Sequence, residues 1–400
     1  MKKGIAIAII LVLSFPVVVE AKEDYVEKIM NEVNEEMILD YLQTLESFGP
    51  RVTGTQACWD AGNYIYNEFK SYGYETYFFN WSLGSYSDRN VVAVLPGERN
   101  DSIIICAHYD SVPGSPGADD NGSGTAAVLA AAKALSKYKD KIKLTYTIRF
   151  VTFSGEEEGL LGSQVYAKSL YENNSNVVAV LNVDMIGYTR SEEGKENVII
   201  FESDESKWIT NVAISIAEKY SYLNLKIHRY GAGANSDHWP FMVYGYDAVF
   251  FHEYEFNDYY HSSGDTVEHM DIEYDTRVTK LIVATLVQIA NIEIVDDQPP
   301  EISIQRPANY LYIADREVME TNMPIIIGKI TIKMDAIDEQ SGIEKVDVLI
   351  DNKLKAELTN RPYEWTWDEF AFFKHEIKAT AYDNVGNYAN ATIDVIIFNV

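Results

Sequence analysis

Three apolar runs, at residues 102–107, 144–153 and 177–183, constrain this chain more than any other feature. They alternate too little to have one wet face, so each reads as a strand covered on both sides. Between them lie an Ala-rich helical stretch at 124–138 and a second helical stretch at 159–171. Strands alternating with helices imply an α/β fold: a mostly parallel sheet sandwiched by helices. Ligands in such sheets bind beyond the carboxyl ends of the strands. Upstream, Val26, Ile29, Met30, Val33, Met37, Tyr41 and Leu45 recur at helical spacing until Gly49-Pro50. A second helix fits 55–72, and strands fit 74–81 and 90–95. Further on, helices at 205–220 and 271–294 surround a strand at 248–251.

The character changes at Asp296-Asp297-Gln298-Pro299-Pro300. Beyond it no amphipathic helix is readable. Short strands at 302–305, 330–336, 345–350, 375–382 and 391–398, divided by turn residues, suit an all-β sandwich. At the other end, Lys2 and Lys3 precede an apolar run at 5–19, and Ala21 closes a small-residue cleavage signal. This reads as a signal peptide, 1–21, ahead of an α/β domain, 22–295, and a β domain, 296–400. The expected location is therefore extracytoplasmic, secreted or cell-surface, with membrane attachment only if the leader stays uncleaved.

Apolar residues make up 47% of the chain, enough for two sizeable cores. With 61 acidic against 33 basic residues, the net charge is −28, which excludes nucleic acid and anionic lipid as natural partners. Cys58 and Cys106 are the only cysteines and define no disulfide framework; Cys106, inside an apolar run, reads as a buried thiol.

Metal-competent side chains gather after the strands. His108-Tyr109-Asp110 follows the first run, and Asp119-Asp120-Asn121 precedes the Ala-rich helix. Glu156-Glu157-Glu158 follows the second run, Asp184 ends the third, and Tyr260-His261 lies downstream. Singly, each has a plainer explanation. Asp119 or Asp120 suits a helix N-cap, and the three glutamates suit a helix dipole. Asp184 is harder to explain so, because a carboxylate ending an apolar run must be paired or bind metal. Two imidazoles and several carboxylates at one sheet edge are a donor set that zinc accepts.

In this order and spacing, with Gly49-Pro50-Arg51-Val52-Thr53-Gly54-Thr55 and Ser236-Asp237-His238, the segments resemble the di-zinc aminopeptidases. These are the relatives of bacterial leucyl aminopeptidases and glutamate carboxypeptidases. The resemblance runs from about residue 49 to 294. It implies two Zn²⁺ per chain, with Asp120 bridging them, His108 and Asp184 completing one and Glu157 and His261 the other. It also implies that Glu156 is the general base, acting on a water shared by the ions. Asp110 would orient His108, and Tyr260 would stabilise the oxyanion. Asp237 and His238 would support the site, or else be a helix cap and a satisfied core histidine. The Asp120–Asn121 peptide bond would be cis. Peptide substrates follow from the same resemblance.

The last quarter of the chain, through 338–343, 362–367 and 381–387, resembles the bacterial immunoglobulin-like domains of secreted enzymes. Such a domain offers contact with a cell surface or carbohydrate. The alternatives to an aminopeptidase are a glutaminyl-peptide cyclotransferase on the same fold, a carboxypeptidase, and a non-catalytic binding protein.

Overall fold

A computed structural model describes residues 24–400 except 234, 295–297, 339–341 and 384–385. The leader at 1–21 lies outside the described residues. Contacts divide the chain into two compact units, Tyr25–Val295 and Asp296–Val400.

In the first unit, the 102–107 run shows why a strand with no polar face arises. It lies within β3 (Arg99–His108), where Ile103, Ile105 and Ala107 enter one core and Ile104 and Cys106 enter another. The two cores lie on opposite faces of one sheet, because successive strand side chains alternate. The other strands are β1 (Glu75–Leu83), β2 (Tyr86–Leu95), β4 (Tyr146–Phe153) and β5 (Val177–Val183). They are followed by β6 (Asn197–Glu202), β7 (Lys226–Gly231) and β8 (Ala248–Glu253). The spatial order is β1-β2-β4-β3-β5-β8-β6-β7. The central four, β4-β3-β5-β8, run in parallel, as do β6 and β7 at one edge; the β1–β2, β2–β4 and β6–β8 pairings are antiparallel. The sheet is thus mixed, with the expected parallel arrangement at its centre.

The helices largely follow the sequence pattern. The Ala-rich helix is α4 (Gly122–Ser136), after α1 (Tyr25–Asn31), α2 (Glu35–Ser47) and α3 (Gln56–Ser71). The single periodic stretch at 26–45 is two helices, because Asn34 accepts a hydrogen bond from the Met37 N–H and starts α2 afresh. The helical stretch at 271–294 ends at Ala290, and the short strand Ile292–Ile294 pairs with Ile142–Leu144. Strands β6 and β7 were not read from sequence. Among the described residues no helix is long and apolar enough to cross a membrane. Cys58 and Cys106 are both buried and free.

The second unit is all-β. A three-stranded and a seven-stranded sheet enclose a core that includes Tyr312, Ile326, Ile332, Trp367, Ile377 and Ile397. Five strands missing from the sequence reading, among them Tyr310–Ile313 and Ile325–Ile327, complete these sheets.

Candidate metal centre

The site forms where the parallel strands end. His108 is the last residue of β3, in register with Phe153 at the end of β4. Asp184 follows β5 directly, and its N–H donates to the Phe251 carbonyl of β8 at 3.1 Å. Glu156 and Glu157 stand just past β4, and His261 sits in the segment after β8 with a φ of 54°. Chain connectivity alone therefore delivers four of the ligand candidates to one edge.

Asp120 needs more help, because it arrives on a loop. The fully buried Arg51 guanidinium braces that loop, donating to the carbonyls of Tyr109 (2.7 Å), Pro116 (2.5 Å) and Gly117 (2.8 Å). Gly117 has a φ of +66°, and a Cβ there would lie 2.6 Å from the Asp120 carbonyl oxygen, so only glycine fits. Asp265 accepts the N–H groups of Asp119 (2.9 Å) and Asp120 (3.2 Å). The Asp120–Asn121 bond is cis, and the Asn121 side chain caps α4 while donating to the Val183 carbonyl at 2.8 Å.

The geometry at the centre is specific. Asp120 Oδ1 lies 3.4 Å from His108 Nε2, and its Oδ2 lies 3.1 Å from His261 Nε2. Each imidazole faces a second carboxylate: His108 Nε2 is 3.4 Å from Asp184 Oδ1, and His261 Nε2 is 3.1 Å from Glu157 Oε2. Glu156 Oε2 lies 3.9 Å from His108 Nε2.

These side chains fit a pair of metal ions. Donors about 2.0–2.1 Å from a tetrahedral zinc are about 3.3 Å from one another, close to the separations found here. Asp184 Oδ1 and Glu157 Oε1 are buried without a hydrogen-bond partner, a costly arrangement unless a cation takes the lone pairs. Charge points the same way. Burial pushes Glu157 up to about 8, helped by Asp120, and drives Glu156 well above the ordinary carboxylate range. Burial also opposes charge on His108, yet Asp184 and Glu156 hold its pKa well above the usual histidine value.

The surrounding residues refine the expectations. The Asp110 carboxylate is 3.6 Å from His108 Nδ1, while its backbone oxygen is nearer at 3.2 Å. The carboxylate instead accepts from Thr53 Oγ1 (2.8 Å) and from the N–H groups of Glu156 and Glu157 (each 3.3 Å). Asp110 thus ties the His108 segment to the glutamate segment. Tyr260 stacks on His261 with ring centroids 3.7 Å apart and is partly exposed. Burial and the nearby Asp120, Glu157 and Glu156 carboxylates raise its pKa, so the phenol keeps its proton. Asp237 and His238 are fully buried, and Asp237 makes no capping hydrogen bond to the helix it precedes, His238–Val243.

Ser236, Arg51 and Asp265 received no individual role from the sequence, although the first two lie in the motif segments and Asp265 follows His261 by four positions. A cavity of about 330 Å³ opens onto the centre. Besides the polar residues of the centre, its lining includes the apolar side chains of Met185, Ile199, Phe201, Phe250 and Phe256.

Comparison with known proteins agrees with this architecture. Residues 90–286 match the model of peptidase family M28, and residues 300–395 that of a bacterial Ig domain. A leucine aminopeptidase 1 from Paracoccidioides brasiliensis is 26% identical over 294 residues, covering 67% of this chain and 74% of that one. The crystal structure of the Legionella pneumophila LapA aminopeptidase superposes with a TM-score of 0.61 at 26% identity, covering 72% and 80% of the two chains. The glutaminyl cyclase of Porphyromonas gingivalis, at 22% identity and a TM-score of 0.56, covers 64% of this chain and 99% of its own. That last likeness is one of fold alone.

Proposed function

Because residues 90–286 belong to peptidase family M28 and residues 300–395 to the bacterial Ig domains, we propose that this chain is a secreted zinc-dependent aminopeptidase. It removes residues from the amino end of peptides. One observation carries the reading: Asp120 divides its two carboxylate oxygens between His108 and His261, each of which faces a further carboxylate.

His108, Asp120 and Asp184 would hold one zinc ion, and Asp120, Glu157 and His261 the other. Zinc bound there supplies Lewis acidity toward the scissile carbonyl and toward water. Glu156 takes the proton of the attacking water on its carboxylate and returns it to the departing amine. Its place beside His108, among ligand candidates but outside the Asp120 bridge, suits a proton carrier. The Tyr260 hydroxyl, which stays protonated, donates to the developing oxyanion. Asp110 fixes the glutamate segment through two backbone N–H groups.

The cavity favours the amino end of a peptide over the carboxyl end. Glu156, Glu157, Asp184 and Glu253 line it, and no Lys or Arg is among the lining residues. A terminal carboxylate finds no Lys or Arg partner among those residues, whereas a free amino end needs none. The apolar lining residues suit an apolar side chain on the residue removed.

The test is a panel of peptides with free, acetylated and glutaminyl amino ends. Free ends should be cleaved and acetylated ends left intact. Equal cleavage of acetylated peptides, or cyclisation of glutamine in place of hydrolysis, would overturn the reading.

A further inference from the structure

The second unit carries an apolar surface that its own core does not use. In its seven-stranded sheet Tyr312, Ile326 and Ile397 point inward and are buried. Their neighbours Ile313, Ile327 and Phe398 therefore point outward. The strand register aligns these three in one row, Ile313 opposite Ile327, Ile327 opposite Phe398, and Phe398 opposite Phe372. A second row lies beside it, where Met319 faces Leu311, Leu311 faces Ile325, and Ile325 faces Ile396.

Phe370 and Phe373 extend the surface. Phe370 lies 5.1 Å from Phe372, and Phe373 lies 6.3 Å from Phe398, between ring centroids. Charged residues end both rows, Arg316 opposite Ile313 and Lys374 opposite Ile396, and farther along the same outward face Asp394, Thr392 and Asn390 are polar. The apolar area is thus one bordered patch, not a sheet that is greasy throughout.

Its size is informative. Ile313, Ile327, Met319, Phe398, Phe370 and Phe373 are between 37% and 77% exposed. At about 200 Å² per large side chain they present about 650 Å² of apolar surface. The half-buried second row brings this close to the roughly 800 Å² that each partner of a stable complex contributes. Few monomers expose a patch this large.

We propose that this outward face docks on the same face of a second copy of the chain, forming a homodimer. Two flat, twisted sheet faces of this kind stack on each other directly, as the sheets of a sandwich do. The aliphatic and phenyl side chains that make up most of the patch have no hydrogen-bonding groups for the hydroxyls of a carbohydrate. Anionic lipid needs a cluster of several basic residues, whereas the rows end in Arg316 and in Lys374, the latter paired with Asp394 at 2.8 Å, and the chain carries a net charge of −28.

Sedimentation velocity of the full chain over a concentration series tests this. A reversible dimer is expected. The double substitution Ile327→Lys and Phe398→Lys should raise its dissociation constant by about 100-fold, since each buries a charge at the centre of the contact. Thr392→Lys, on the polar part of the same face, should leave the dimer intact and shows whether added charge alone matters. Both variants should keep the parent's melting temperature and peptidase rate. A parent that is monomeric at every concentration overturns the proposal, as does a dimer that survives the double substitution. A monomer that cosediments with lipid vesicles or insoluble polysaccharide assigns the patch to another occupant and overturns it equally.

Discussion

Ser236 Oγ donates a hydrogen bond to Asp184 Oδ2 at 2.5 Å. Asn182, two residues before Asp184, donates to the same serine at 2.7 Å. The serine occupies one oxygen of the carboxylate and leaves Oδ1 aimed at His108 without a partner. Ser236→Ala should therefore loosen the orientation of Asp184 and weaken zinc binding by about 10–100-fold. Competition against a fluorescent zinc chelator measures this. An unchanged affinity would show that the hydrogen bond does not orient the ligand.

Glu156 and Glu157 are adjacent in sequence but face different partners, His108 and His261 respectively. Glu157→Gln should lose zinc, and its activity should recover as zinc is raised. Glu156→Gln should keep its metal and lose about 10²–10⁴-fold in rate, with no recovery. Metal content and rate across a zinc titration separate the two. Rescue of Glu156→Gln by zinc would mean that the roles are reversed.

Removing the metal should abolish activity and also destabilise the fold. Without cations the buried Asp184 and Glu157 oxygens lack partners, and the carboxylates repel one another. Zinc at 100 times the dissociation constant of a single site should add about 2.7 kcal/mol. Elemental analysis should find two ions per chain, and the melting temperature should rise on their return. An apo form as stable and active as the zinc form would count against the centre.

Arg51 supports the Asp120 loop from outside the ligand set. It is fully buried, and its guanidinium serves four carbonyls: Leu45, Tyr109, Pro116 and Gly117. Arg51→Met keeps the volume but strands those oxygens, at about 1–3 kcal/mol for each left unsatisfied. Urea denaturation should show a loss of several kcal/mol, and zinc affinity should fall because the Asp120 loop loses its brace. A loss under 1 kcal/mol would mean that water replaces the guanidinium.

The two units have separate cores, so a chain ending at Val295 should fold and keep its rate on dipeptide-sized substrates. Circular dichroism and a peptidase assay decide this. Aggregation or an inactive product would place part of the catalytic fold in the second unit.

Much of the metal centre was readable before any coordinates, for a local reason. A buried strand is an uninterrupted apolar run, so its end is marked wherever a polar residue follows. His108 and Asp184 stand at such ends, and Glu156 and Glu157 begin the turn after another. The helix breaks and strand margins were less legible. The periodicity at 26–45 runs through the break after Asn31, where one helix stops and the Asn34 side chain caps the next. Strand β7, largely exposed at the sheet edge, has no buried pattern to read.

Sequence by itself determined that a parallel-centred sheet would present imidazoles and carboxylates at one edge, because strand burial and residue order are local properties of the chain. Tertiary structure decided the rest. Ser236 meets Asp184 across 52 positions, Asp265 meets Asp120 across 145, and Arg51 reaches Gly117 across 66. Such contacts depend on how distant loops return to the sheet, and hydrogen bonds formed that way leave no periodicity in the residues that make them. The apolar row from Ile313 to Phe398 has the same origin, since each strand alone looks like an ordinary core strand until the register aligns them.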